Sequence, residues 1–193
     1  MKTTLALAVA LLVSAGTATA QTSFGVKAGL NLANLSISEA DDTFDPENRT
    51  GLVAGVFVTI PGGGIFAFQP EFLISQQGAK FSDGGDSGTA KIDYFQVPLL
   101  ARIGPSKVGI VVGPSLGFRV NAKLSGAGLS TEDEDFSDQI ERMDWGLVTG
   151  VTADVGRLVL DGRYTWGLSN IEKEATADKT KNRVISLTLG LRF

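Results

Sequence analysis

The sequence predicts an all-β protein, an eight-stranded antiparallel up-and-down transmembrane β-barrel. Three observations carry that expectation. Apolar and polar side chains alternate with a two-residue period in eight separate segments. The polar parity of those segments is rich in glycine, and the connections alternate between short Gly/Pro turns and long polar stretches.

The segments read as follows. Phe24, Val26, Ala28, Leu30 and Leu32 share one parity of the first, against Gly25, Lys27, Gly29 and Asn31. The second carries Leu52, Ala54, Val56, Val58 and Ile60; the third sets Phe66, Phe68, Pro70, Phe72 and Ile74 against Gln69, Glu71 and Ser75. In the fourth, Phe95, Val97, Leu99, Ala101 and Ile103 oppose Tyr94, Gln96 and Arg102. The fifth is the longest, with Val108 to Val120 on even positions against Gly109, Gly113, Ser115, Gly117, Arg119 and Asn121. Met143 to Val155, Leu158 to Leu168 and Ile185 to Phe193 complete the set, and no segment has helical periodicity. Pro61-Gly62-Gly63-Gly64, Gly104-Pro105-Ser106 and Gly156-Arg157 read as tight turns, whereas 33–50, 81–91, 125–141 and 170–182 read as long polar connections.

Composition narrows the chemistry. The 193 residues include no His and no Cys, which excludes His-based triads, thiol nucleophiles, disulfides and Cys/His zinc sites. A net charge of −4 argues against a nucleic-acid partner, which needs a basic stripe to neutralise phosphates. Residues 1–20 read as a cleaved signal peptide: Lys2, an apolar run from Leu5 to Val13, and Ala18-Thr19-Ala20 before Gln21. Residues 21–193 are then one barrel domain, with 16 basic against 21 acidic residues and a charge of −5. No later stretch has 18 consecutive apolar residues, so any membrane crossing is by strands.

Alternation alone fits two architectures. A soluble lipocalin-like barrel buries the apolar parity; an outer-membrane barrel turns it toward lipid. Small residues mixed with a few long charged ones fit a narrow lumen better than a solvated face. Aromatics lie near strand ends, with Phe24, Phe66 and Phe193 at one level and Phe95, Phe118, Trp145 and Trp166 at the other. Phe193, the final aromatic of an alternating strand, reads as an insertion signal for the barrel-assembly machinery. Val53, Phe57, Leu73, Leu100, Val111, Val148 and Val159 fall on the polar parity, which makes the expected interior partly apolar. The lipid-facing reading, and hence the cell outer membrane, is preferred.

Several blocks carry a family resemblance: Phe24–Asn31 (FGVKAGLN), Ala54–Val58, Gln69–Gly78 (QPEFLISQQG), Tyr94–Leu100 (YFQVPLL), Val112-Gly113-Pro114 and Arg163–Asn170. In this order the sequence resembles PorT-family outer-membrane β-barrel proteins. The resemblance implies an outer-membrane barrel of a Bacteroidetes-like Gram-negative lineage, in a family whose founding member is linked to protein secretion across that membrane. It implies no catalytic residues.

Lys27, Glu71, Arg102, Arg119, Asp144, Asp154, Asp161, Arg163 and Arg192 share the lumen parity. Carboxylates beside bases could do acid/base work. A paired structural plug is preferred, because charges in a water-poor lumen cost several kcal/mol unless paired. Glu39, Asp41, Asp42, Asp45 and Glu47, and Glu132 to Asp135 with Asp138 and Glu141, offer hard oxygen ligands without EF-hand spacing, so solvated loops are preferred over a Ca²⁺ or Mg²⁺ site. Three functions stay open: a structural or interaction barrel, a small channel, and a lipid-modifying or proteolytic enzyme. The first is preferred, with no cofactor, no metal and no catalytic residue. Its expected partners are outer-membrane lipid, the assembly machinery and secretion-system or surface proteins around a monomeric barrel.

Overall fold

The computed structural model describes residues 21–37, 47–83, 86–105, 107–126, 134–135, 143–169 and 180–193. The predicted leader and most of the acidic connecting residues lie outside these. Within them the strands are β1 (Ser23–Ile37), β2 (Glu47–Gly63), β3 (Phe66–Asp83), β4 (Asp86–Ile103), β5 (Val108–Gly126), β6 (Glu134–Asp135), β7 (Met143–Val155), β8 (Leu158–Gly167) and β9 (Thr180–Arg192). All pairings are antiparallel, β4 pairs with β5, and β1 pairs with both β2 and β9. Eight strands therefore close on themselves, and the two-residue β6 adds only to the far end of β5 at Lys123 and Leu124.

The predicted parity decides the inside. Phe24, Leu30, Leu52, Ile74, Ile110, Val151, Leu160 and Leu187 are exposed on the outer face, together with most other large apolar side chains of that parity. On β5 the outward apolar positions run from Val108 to Val120. At ~3.3 Å per residue and a tilt near 40°, twelve steps span about 30 Å, the thickness of a hydrocarbon core. The lipocalin-like alternative requires this face to be buried, and it is not. Phe24 meets Phe193 at 5.6 Å between ring centroids at the short-turn end, while Phe72 with Phe95 and Tyr164 with Trp166 pair on the outer face.

The seven apolar exceptions turn inward as their parity requires. Val53, Phe57, Leu73, Leu100, Val111, Val148 and Val159 are all buried, and Leu100, Val111 and Val148 form one cluster.

Two expectations are corrected. Residues 81–91 are not a long loop: β3 and β4 continue as a hairpin until Asp83 faces Asp86, leaving only 84–85 outside the strands. The alternation of β4 changes meaning there. Thr89, Lys91 and Asp93 turn outward where Ala90 and Ile92 are buried, so the outer face becomes polar where the sheet leaves the lipid. Asn121 is also not a lumen residue. Phe95 pairs with Phe118 and Tyr94 with Arg119, but Asp93 pairs with Asn121, which makes Val120 the extra residue of a β-bulge. Beyond it Ala122 is buried and Asn121 donates to Asp93 at 3.4 Å.

The lumen glycines answer to curvature as well as to volume. A Cβ on Gly113 would lie 2.1 Å from the Leu99 carbonyl oxygen and 3.0 Å from the Leu100 Cα. Eight strands bend tightly, and the inner surface of the bend leaves no room for that atom. Gly113→Ala is expected to destabilise the barrel by about 1–3 kcal/mol through overpacking, read as a lowered urea midpoint in lipid; an unchanged midpoint would contradict the close approach.

Candidate functional site: the lumen charge networks

Strand parity aims the predicted charged residues inward, and the register around the ring sorts them into separate groups. At mid-barrel Lys27 of β1 reaches Glu71 of β3 at 3.0 Å and Asp161 of β8 at 2.6 Å. Arg163, two residues along β8, grips Glu71 with two bonds, Nη1 to Oε2 at 2.7 Å and Nη2 to Oε1 at 2.8 Å, and meets Asp161 at 3.1 Å. Two bases and two acids thus form a closed, neutral quartet. Their side chains are almost wholly shielded, with Lys27, Glu71 and Asp161 at 0% exposure and Arg163 at 6%.

Neutral neighbours complete it. Gln69 donates to Glu71 at 2.7 Å, Thr188 donates to Asp161 at 3.4 Å, and the Lys27 ammonium stands 5.0 Å from the centroid of the Phe57 ring. Each charge has two or more partners, which offsets much of its lost hydration, although Asp161 Oδ1 and Arg163 Nε are left without one.

Arg102, Asp154 and Arg192 form a second group near the short-turn end. Asp154 accepts from Arg102 at 2.9 Å and from Arg192 at 2.7 Å. Arg119 and Asp144 sit toward the opposite end, where Arg119 is opposite Tyr94 and Asp144 opposite Gly117 in the ladder. They belong to neither group.

Sequence reasoning missed a polar ladder above the quartet. Asn31 donates to Ser75 at 2.9 Å and accepts from Ser186 at 2.7 Å, Gln77 donates to Ser75 at 2.9 Å, and Asn182 donates to Gln77. Asn31, Ser75 and Ser186 lay on the lumen parity, the one available signal, but their partners are set by register. Of the acidic residues considered for cations, Glu47 and Glu134-Asp135 fall in described strands and the rest lie outside the described residues. Among the described residues no group of three or more acidic side chains is arranged to hold a metal ion.

Around the quartet the described residues leave little space. Two mid-barrel cavities, one beside Lys27 and Arg163 and one beside Gln77 and Asp144, measure about 20 and 10 Å³. Each is at the scale of a single water molecule.

A closed antiparallel ring with an apolar exterior and a hydrogen-bonded polar interior is a membrane-spanning β-barrel. The outer membrane protein beta-barrel domain matches residues 18–173, and the chain belongs to that family. Among solved structures, Neisserial surface protein A is similar with a TM-score of 0.56 at 16% identity, covering 90% of this chain and 100% of that one. Ail, the attachment invasion locus protein of Yersinia pestis, solved with the heparin analogue sucrose octasulfate, has a TM-score of 0.53 at 16% identity and the same coverages. At these identities the likeness is one of fold. No curated protein sequence matches the chain significantly.

Proposed function

We propose that this protein is a structural and interaction barrel of the outer membrane, non-conducting and non-enzymatic, which acts through the surfaces at its ends. One observation carries the reading: the buried Lys27, Glu71, Asp161 and Arg163 quartet occupies the lumen, which also holds the buried cluster of Leu100, Val111 and Val148. A group so enclosed holds strands β1, β3 and β8 together and has no open face for a substrate. The four charges of the quartet are accordingly structural in this reading, and the export of the chain rests on residues 1–20 acting as a cleaved leader.

Purified protein in planar bilayers is expected to show no steady conductance. Reproducible ohmic steps would replace this reading with that of a small channel.

The resemblance to PorT-family proteins supports a narrower role, assistance to protein secretion across the outer membrane. Co-purification of intact outer-membrane complexes tests it: recovery with secretion components supports the role, and recovery as a solitary barrel opposes it. The polyanion seen on Ail is a poor guide to the outer surface here. Two of the long connections, 33–50 and 125–141, are rich in Asp and Glu, and such segments repel sulfated chains.

A further inference from the structure

The two ends of the barrel differ in charge. Asp and Glu crowd two of the long connections, 33–50 and 125–141, whereas the short-turn end carries exposed Lys107 and Arg157 on its rim and Arg102 and Arg192 just inside, with Asp154 between them. Short turns face the periplasm in outer-membrane barrels. Here they surround a cavity of about 210 Å³ that opens at the mouth of the lumen and is lined by Arg102, Asp154 and Arg192.

Within this mouth two guanidinium groups share one carboxylate. Arg102 spends both terminal nitrogens on Asp154, at 3.1 and 2.9 Å, while Arg192 spends only Nη1, at 2.7 Å. The Nε and Nη2 of Arg192 are buried without a hydrogen-bond partner. Those two atoms form the side-on edge of the guanidinium, whose parallel N–H groups match two oxygens of one oxyanion. The Nε of Arg163 is orphaned likewise inside the quartet, so what sets Arg192 apart is the cavity of about 210 Å³ beside it. The Arg192 side chain lines the cavity and keeps 22% of its surface exposed; presenting this edge to an anion there requires the guanidinium to turn about its Nη1 contact with Asp154.

We infer that the periplasmic mouth is a binding site for a phosphate-bearing anion, held by the free edge of Arg192 with Arg102 behind it and Lys107 and Arg157 drawing it in. The site carries a formal excess of one positive charge, in surroundings where part of the water is excluded and attraction is less screened. Free phosphate and the headgroup of an anionic phospholipid in the adjacent leaflet share this chemistry. The inference goes beyond the interaction role proposed above and stands independently of it.

The test uses the full barrel, folded in neutral maltoside micelles and checked for the gel shift between unboiled and boiled samples. Inorganic phosphate is titrated at constant ionic strength and followed by calorimetry. In a second arm phosphatidylglycerol is added to the micelles, with phosphatidylcholine as the zwitterionic control. Saturable binding is expected in at least one arm: a response to inorganic phosphate assigns the free ion, and a response to phosphatidylglycerol alone assigns the lipid. Arg192→Gln should weaken binding about tenfold, the loss of a charge-assisted two-bond contact. Arg192→Lys, which keeps the charge but not the fork, should also weaken it, and serves where the Gln variant does not fold. Asp154→Asn should tighten binding, because the competing carboxylate is gone; a merely structural triad would give no such gain. Absence of saturable binding in both arms, or binding indifferent to Arg192, overturns the proposal.

Discussion

Replacement of Arg163 by Leu alone is expected to destabilise the barrel by about 3–5 kcal/mol, since it leaves Glu71 buried with Lys27 as its only cationic partner. Replacement of Glu71 by Leu alone should cost a similar amount, because the Arg163 fork then retains only Asp161. The double variant Glu71→Leu with Arg163→Leu should recover much of the loss. It removes one acid and one base together and leaves Lys27 and Asp161 paired at 2.6 Å. Urea unfolding of the three variants in one lipid reads these differences. Complementation of a deletion strain by the double variant then separates structure from chemistry. A stable double variant that fails to complement would refute the structural assignment of the quartet and move the search for function into the lumen.

Leu187→Arg should carry the second large effect. Leu187 lies midway along the outward row of β9, 65% exposed, between Ile185 and Leu189. If lipid covers that row, a guanidinium there costs about 2–4 kcal/mol, whereas at the interface the cost falls to ~0–1 kcal/mol. Val155, equally exposed at the short-turn end of β7, supplies the interfacial comparison. Urea midpoints of Leu187→Arg and Val155→Arg should therefore differ by the depth of the two sites. Equal midpoints would mean that the apolar band does not sit in hydrocarbon.

How much of this was legible in the sequence depends on the range of the interaction. Parity is local, so the facing of Leu187, Lys27 or even Phe57 could be read from immediate neighbours. The bulge at Val120 is equally local, but it has no marker: no glycine or proline lies at the break, and the apolar row simply runs one residue further before the faces exchange. The β3–β4 hairpin was hidden for a different reason. Its outward residues Thr89, Lys91 and Asp93 are polar because they leave the lipid, and polar residues near glycines resemble a loop. Of the quartet's pairings only Asp161 with Arg163, two residues apart on one face of β8, was within local reach. The others join residues 44, 92 and 134 apart, and only the stagger of the whole ring brings Glu71, Asp161 and Arg163 to the height of Lys27.

The pairing of β1 with β9 also sets an order of events in time. Each of the other seams joins barrel strands that follow one another along the chain, whereas this one brings Gly25 against Arg192 and can form only when nearly all the intervening chain is in place. Contacts of such long sequence separation are slow to form, because the loop entropy must be lost before they contribute. Until then Lys27 stands on one free edge of an open sheet, and β8, which bears both Asp161 and Arg163, is one strand in from the other. The open sheet can already join Lys27 to Glu71 and Arg163 to Asp161, but the Lys27–Asp161 contact and the Glu71–Arg163 fork wait for circularisation. The same contacts resist reopening, so a barrel of this construction should be slow to assemble and slower to come apart.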